Sequence, residues 1–215
     1  MPNPIAAVIF DADGTLVDSE VTGLDVLHEQ ALALGLAWER TALHERLRGV
    51  RMAECAALLA AEAGRTELGF AAALLERIRA AMAARFRQGI TPMPGAEALL
   101  RRLAIPFCVA TNGPREKVEL TLGLTGLLPL LAGRIHSAYE VGSFKPDPGL
   151  FLHAAANLGV EPALCAVVED SLPGVEAGLA AGMRVFSLLP PAQAPAQLRE
   201  RVTFIGALAE LDTHF

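Results

Sequence analysis

The sequence contains few residues of the kinds that build disulfide frameworks or zinc sites. It has three cysteines in 215 residues, and none of them forms a Cys-x-x-Cys pair. An odd number of cysteines in apolar surroundings indicates small buried thiols in a reducing compartment. The five histidines lack the spacing of zinc ligands. These absences argue against zinc and predict a cytoplasmic location.

Long apolar runs, a basic leader and basic clusters are also absent. The longest apolar stretches fall well short of the roughly 18 residues that a membrane span needs. The start "MPNPIAAVIFDAD" reaches acidic residues too soon for a signal peptide. The formal net charge is −6, and no basic run is interleaved with aromatic residues. We therefore expect neither a membrane nor a nucleic acid as a partner. We expect the protein to be a monomer or a weak homodimer.

The apolar residues that are present predict two kinds of structure in different parts of the chain. They make up 53% of the sequence, which is enough for a sizeable core. The run "IAAVIF" (5–10) is continuously apolar, which is typical of a strand that is buried on both faces. From Glu20 to about Gln88 the apolar spacing is helical throughout, with a long helix predicted from Thr66. The Pro- and Gly-rich stretch "GITPMPG" (89–95) then indicates a linker.

After Gly95, short apolar strands alternate with helices. The strands are predicted at 106–110, 134–138, 164–168, 184–188 and 202–205, and the segment 190–197 is predicted to be a loop. Strands separated by helices favour parallel pairing, so the fold class is α/β with a doubly wound parallel sheet. The first strand belongs to this sheet. The predicted domains are therefore a core of 1–17 and 90–215 and an all-helical insertion of 18–89.

Polar residues follow four of the predicted strands, where ligands bind in sheets of this kind. Four strand ends of one sheet converge on one place, so we expect these side chains to form a single site. The candidates are Asp11 and Asp13, then Thr111, Asn112 and Gly113, then Lys145, and finally Glu169 and Asp170.

The carboxylates among these candidates predict a divalent cation. Four acids in one cleft would raise one another's pKa values unless a cation lay among them. Oxygen ligands without His or Cys suit Mg²⁺. We expect Asp11 and Asp170 to be the main ligands of this metal. A main-chain carbonyl near Asp13 and a water-mediated contact from Glu169 would complete the set.

The other candidates predict a phosphate site beside the metal. Lys145 would neutralise phosphate oxygens, while the Thr111 hydroxyl and the N–H groups around Asn112 and Gly113 would donate to them. Asp11 is placed to attack phosphorus and form an aspartyl-phosphate. Asp13 would protonate the leaving alcohol and later deprotonate water.

Four motifs in this order resemble those of the haloacid dehalogenase superfamily. They are "DADGT" (11–15), "VATNG" (109–113), "KPDP" (145–148) and "VVEDS" (167–171). The resemblance implies a Rossmann-like core with a helical cap inserted after the first motif, and the residue roles given above. Asp13 argues against the dehalogenase branch, whose members lack an acid there. The "LVDSE" continuation resembles the branch of phosphoglycolate phosphatases and β-phosphoglucomutase, and segments beside the motifs resemble bacterial 6-phosphogluconate phosphatases.

The sequence thus predicts a Mg²⁺-dependent phosphatase for small phosphorylated metabolites, above all sugar phosphates such as 6-phosphogluconate. Two alternatives stay open, namely a sugar-phosphate mutase and a non-catalytic phosphate-binding module. The mutase of this branch has a His shortly after its first motif, whereas the matching place here is near Gly23, with His28 five residues later. Arg51 in "LRGVR" is a candidate for substrate binding. Arg115 and Lys117, which follow the second motif, are interpreted chiefly as solvated charges, and the alternative is that they line the entrance of the site.

Overall fold

The computed structural model describes residues 4–47 and 50–214. The chain divides into two compact units, one formed by Met1–Asp18 with Thr91–Phe215 and the other by Ser19–Ile90. The limits expected from the sequence, 17/18 and 89/90, lie one residue from these divisions.

The larger unit contains, among the described residues, a six-stranded sheet in which all neighbouring strands are parallel. The sheet order is β3-β2-β1-β4-β5-β6. The strands are β1 Ala7–Phe10, β2 Phe107–Thr111, β3 Ile135–Ser137, β4 Cys165–Glu169, β5 Arg184–Ser187 and β6 Thr203–Phe204. This confirms the predicted doubly wound α/β fold.

The central position of β1 explains its continuous apolar sequence. All four of its residues are fully buried, because β2 and β4 flank it and helices cover both faces of such a sheet. The order of strands reverses between β1 and β4, since β2 and β3 lie on one side and β5 and β6 on the other. Loops diverge at such a switch point and leave a crevice there.

The smaller unit is helical, as the sequence predicted. Its helices are α1 Glu20–Ala33, α2 Arg40–Leu47, α3 Met52–Glu62 and α4 Phe70–Gln88. The stripe Leu74, Ile78, Met82 and Phe86 on α4 is buried in the centre of this unit. The helix starts at Phe70 rather than at Thr66, because Gly69 just before it has a φ of 83°, outside the right-handed helical region.

The larger unit has seven α-helices among its described residues. They are α5 Ala96–Arg102, α6 Arg115–Leu124, α7 Leu128–Leu131, α8 Ala138–Val141, α9 Gly149–Leu158, α10 Leu172–Ala180 and α11 Ala196–Arg199. The sequence did not predict α7, α8 or α11. Within residues 4–47 and 50–214, every helix is too short or too polar to cross a bilayer.

The two segments at which the chain leaves the larger unit and returns to it are hydrogen-bonded to each other. The amide of Asp18 donates to the carbonyl of Thr91 at 3.0 Å, and the amide of Met93 donates to the carbonyl of Leu16 at 2.9 Å. The stretch 89–95 was predicted to be a linker. Its second half is instead hydrogen-bonded to the segment that follows the first motif.

Candidate functional site

The sheet brings the ends of three strands together at the switch point. Asp11 follows β1 directly, Thr111 ends β2 and Glu169 ends β4. β1 pairs with both of the other strands, so the three side chains start from adjacent positions at one edge. Lys145 reaches the same place from the loop between α8 and α9.

The ammonium group of Lys145 lies between two buried carboxylates. Its Nζ atom donates to Asp11 Oδ1 at 2.5 Å and to Glu169 Oε1 at 2.6 Å. It also lies 4.9 Å from the centre of the Phe151 ring. The lysine is only 5% exposed. This network joins three of the four predicted motifs, since its members come from positions 11, 145 and 169.

Burial shifts the pKa values of both partners in this pair. Desolvation, together with the nearby charges of Glu169 and Asp13, raises the pKa of Asp11 to about 7, although the attraction of Lys145 lowers it. Burial alone would lower the pKa of Lys145. The attraction of Asp11 and Glu169 outweighs this effect, so the pKa of Lys145 lies above its ordinary value. Lys145 therefore stays protonated near neutral pH.

Glu169 is fully buried, and protein donors contact both of its oxygens. Oε1 accepts from Lys145. Oε2 accepts from Asp170 N at 3.0 Å, from Ser171 N at 3.0 Å and from Ser171 Oγ at 2.9 Å. The Cβ of any larger residue at Gly174 would lie 1.9 Å from the Glu169 carboxyl carbon. The sequence predicted a water-mediated metal contact for Glu169. The observed contacts orient Lys145 and the start of α10, and the water-mediated metal contact stays a prediction.

Asp170 packs against the loop that carries the first two aspartates. Thr15 Oγ1 donates to Asp170 Oδ1 at 3.2 Å. Gly14 has a φ of 79°, and a Cβ at this position would lie 2.0 Å from Asp170 Oδ2. Glycine is thus required both by the backbone conformation and by the close approach of the carboxylate. Acids that are far apart in the sequence therefore meet at the 11–15 loop.

The Thr111–Gly113 loop is bonded to the segment that carries Lys145. The Asn112 side chain accepts from Lys145 N at 2.9 Å and donates to Lys145 O at 3.2 Å. Thr111 Oγ1 accepts from Gly113 N at 3.0 Å, and Ser137 Oγ donates to Gly113 O at 2.7 Å. Asn112 was predicted to bind substrate. Its side chain holds two loops together, while substrate binding through its main chain stays a prediction.

Lys117 contacts Asp13, and the spacing of the motifs does not predict this contact. The Lys117 ammonium forms an ion pair with Asp13 Oδ1. Arg115, which was interpreted in the same way, instead pairs with Glu140 and donates to the Ile135 carbonyl at 2.8 Å. The sequence does offer one indication of this contact, because Lys117 lies in the first helical turn after the second motif.

Arg51 and His28, which both lie in the smaller unit, contact residues of the same unit. Arg51 precedes α3 and pairs with Glu54, and its side chain is 47% exposed. His28 Nε2 lies 2.9 Å from the Trp38 carbonyl oxygen. The role of Arg51 in substrate binding stays a prediction.

In the described ranges 4–47 and 50–214, no three Asp, Glu, His or Cys side chains form a metal-binding cluster. The ligand set that the sequence predicts comprises the carboxylates of Asp11 and Asp170, a main-chain carbonyl near Asp13 and a water-mediated contact from Glu169. This set stays a prediction, and all of its ligands are oxygens. A hard cation such as Mg²⁺ matches such ligands and keeps several waters of its own.

Comparisons with known proteins identify the family. The family profile "haloacid dehalogenase-like hydrolase" matches residues 5–182. The chain is 33% identical to 6-phosphogluconate phosphatase of Escherichia coli over 96% of this chain and 93% of the relative. It is 34% identical to hexitol phosphatase A of the same organism over 87% and 84% of the two chains. A crystal structure of a haloacid dehalogenase family hydrolase from Deinococcus radiodurans, with bound phosphate and sodium, superposes with a TM-score of 0.74 and 34% identity over 97% and 93%. The chain belongs to the haloacid dehalogenase-like hydrolase family.

Proposed function

We propose that this protein is a Mg²⁺-dependent phosphatase of small phosphorylated metabolites, above all sugar phosphates such as 6-phosphogluconate. The observation that carries the proposal is the buried contact of Lys145 with Asp11 and Glu169, beside the Thr111 loop. A carboxylate held next to a fixed ammonium group supports Asp11 as the nucleophile, with Thr111 at the end of the neighbouring strand as a hydroxyl donor. The two Escherichia coli relatives are named 6-phosphogluconate phosphatase and hexitol phosphatase A. Both names support the same substrate class.

Asp11 and Asp170 would hold the Mg²⁺ ion, together with a main-chain carbonyl near Asp13. The close approach of Asp170 to Gly14 supports this choice, because it keeps the carboxylate of Asp170 on the 11–15 loop. The raised pKa of Asp11 also favours a bound cation, which would stabilise its charged form. When bound, Mg²⁺ would neutralise negative charge on the transferring phosphoryl group.

The reaction would proceed in two steps on the side chains of the larger unit. In the first, an oxygen of Asp11 attacks phosphorus, the bond from phosphorus to the ester oxygen breaks, and Asp13 gives a proton to the leaving alkoxide. In the second, water attacks the aspartyl-phosphate and Asp13 takes a proton from it. The bond between Asp11 and phosphorus then breaks and releases inorganic phosphate. Lys145 and the Thr111 hydroxyl stabilise the charge on the phosphoryl oxygens.

The test of this proposal is phosphate release from a panel of substrates, measured with added Mg²⁺ and with EDTA, at about neutral pH. The panel contains sugar phosphates, 6-phosphogluconate, hexitol phosphates, phosphoglycolate and nucleotides. We expect release from sugar or polyol phosphates that depends on Mg²⁺. A coupled isomerisation assay tests the mutase alternative. No Mg²⁺-dependent release from any member would contradict the proposal and favour a phosphate-binding module.

The close contact between Gly14 and Asp170 gives a separate prediction for the metal. In Gly14→Ala the new Cβ would displace Asp170, so we expect at least a tenfold loss of Mg²⁺ affinity, on the order of 1.4 kcal/mol. Gly126→Ala is the matched control, because Gly126 also has a positive φ, 76°, but nothing lies within 4 Å of its Cβ position. The measurement is the Mg²⁺ concentration that gives half of the increase in melting temperature. Equal Mg²⁺ affinity in the two variants would contradict Asp170 as a ligand.

A further inference from the structure

We propose that Lys117 positions Asp13 for proton transfer by binding one oxygen of its carboxylate. The inference rests on the proposed function, in which Asp13 exchanges protons with the leaving group and with water. It assigns Lys117 a role that requires no contact with the substrate.

The two oxygens of Asp13 have different surroundings. Oδ1 forms the ion pair with Lys117. Oδ2 lies toward the Thr111–Gly113 loop, which is proposed to bind the phosphate, and is 3.7 Å from where a Cβ on Gly113 would be. The ion pair is part-buried, since the side chains of Lys117 and Asp13 are 27% and 29% exposed. An ammonium group on Oδ1 therefore turns Oδ2 toward the place where the phosphate ester would bind.

The sequence fixes Lys117 in this position through the second motif. Thr111 ends β2, and α6 begins at Arg115, just after Pro114. Lys117 therefore lies in the first turn of the helix that starts at the phosphate-binding loop. Val118, the next residue, is fully buried, which anchors this turn against the core of the larger unit.

The chain uses lysine at only two positions, 117 and 145, whereas the other 16 of its 18 basic residues are arginines. Both lysines contact aspartates of the first motif, Lys145 at Asp11 and Lys117 at Asp13. A chain that places arginine at every other basic position has lysine at these two. This choice indicates a requirement for the ammonium group rather than for positive charge alone.

The physical difference between the two cations explains such a requirement. An arginine fork binds both oxygens of a carboxylate with parallel hydrogen bonds. On Asp13 that geometry would engage Oδ2 as well as Oδ1, and Oδ2 could no longer exchange a proton with the ester oxygen. The lysine ammonium is a compact charge that can hold a single oxygen.

The proposal predicts different effects on the two chemical steps. With para-nitrophenyl phosphate the leaving group departs as a stable anion, so its release needs little help from an acid. Hydrolysis of the aspartyl-phosphate still needs Asp13 as a base. A loss of Asp13 positioning should therefore slow the second step far more than the first. With an alkyl phosphate, whose leaving alkoxide needs a proton, both steps should slow.

The experiment compares Lys117→Ala, Lys117→Gln and Lys117→Arg with the wild type in stopped-flow assays of para-nitrophenyl phosphate and steady-state assays of the best alkyl phosphate of the panel. General acid–base catalysis contributes about 10²–10⁴-fold. We expect kcat to fall on the order of 10²-fold for the alkyl phosphate with little change in KM. With para-nitrophenyl phosphate we expect a burst of one nitrophenolate per enzyme, followed by slow turnover. Lys117→Arg should resemble Lys117→Ala.

Glu116→Ala, on the same turn of α6 and exposed, controls for the loss of a charge there and should retain wild-type kinetics. Melting temperatures of all variants should stay within a few degrees of the wild type. Wild-type kcat in Lys117→Ala or in Lys117→Arg would overturn the inference, as would a loss without a burst. If the wild type released phosphate from no substrate, the proposed function itself would fail, and this assignment with it.

Discussion

Replacing Asp11 by Asn should lower the turnover of para-nitrophenyl phosphate by at least about 10⁴-fold. The amide has nearly the same shape as the carboxylate but is a poor nucleophile, so no phosphoryl-enzyme can form. Phosphate release at saturating substrate measures the loss. Denatured enzyme sampled during turnover should carry phosphate on the wild-type chain and none on the variant.

The folded structure should survive this change. Lys145 would lose its contact with the Asp11 carboxylate but keep Glu169 Oε1 at 2.6 Å. Burial raises the pKa of Asp11 to about 7, so a neutral group at this position removes a charge that burial disfavours. The melting temperature without Mg²⁺ should therefore be no lower than that of the wild type. Asp18→Asn, an exposed site on the same segment, is the control and should keep full activity. Normal turnover by Asp11→Asn would refute the assignment of the nucleophile.

The sequence predicted the sheet because its strands are buried on both faces. Continuous apolar runs such as 7–10 and 165–168 do not resemble amphipathic helices, and the helices between them imply parallel pairing. The short helices α7 and α8 have four residues each. A period of 3.6 residues cannot be recognised in so short a segment. These two helices could therefore be found only from the structure.

The site was predictable to the level of which loops meet, because strand ends of a parallel sheet lie at one edge. The partners of each side chain were not predictable. The sequence predicts a water-mediated metal contact for Glu169 but does not predict that its oxygens also contact Lys145 and the start of α10. Lys117 resembles an ordinary helix-surface charge until α6 is packed on the sheet, where it contacts Asp13. Side-chain direction across a sheet depends on packing that spacing alone does not specify.

Among these substitutions, Lys145→Met should lower the free energy of unfolding the most. The change leaves two carboxylates without their shared ammonium, and Asp11 and Glu169 are only 7% and 0% exposed. Removing one partner of a buried ion pair costs about 3–5 kcal/mol. We expect a loss of this size in the free energy of unfolding, measured by urea denaturation in EDTA. Phosphate release should also fall, on the order of 10³-fold, because the phosphoryl oxygens lose a cation.

Two further variants separate the structural effect from the catalytic one. Lys145→Met combined with Glu169→Gln removes one of the two facing charges, so it should recover part of the lost stability but none of the activity. Arg101→Met is the control, because Arg101 forms an exposed pair with Glu97 and its side chain is 61% exposed. Exposed pairs contribute about 0–1 kcal/mol. A stability loss in Lys145→Met no larger than that in Arg101→Met would contradict a buried ion network.

The stability difference between wild type and Lys145→Met should depend on pH with a definite sign. In the metal-free wild type the pKa of Asp11 is raised from 3.8 to about 7, so the folded chain binds more protons than the unfolded chain between these values, and this contribution to stability falls as pH rises. Without Lys145 the pKa of Asp11 should be higher still, so the decline should keep the same slope but continue above pH 7. Lys145 itself, whose pKa lies above the ordinary 10.5, stays charged in the wild type throughout this range. The gap in unfolding free energy should thus be smallest from about pH 4 to pH 6, where Asp11 is protonated in both folded chains, and should widen from about pH 7 to about pH 8, where only the wild type releases the proton. A gap that stayed constant over this range would mean that the lysine does not stabilise the charged form of Asp11.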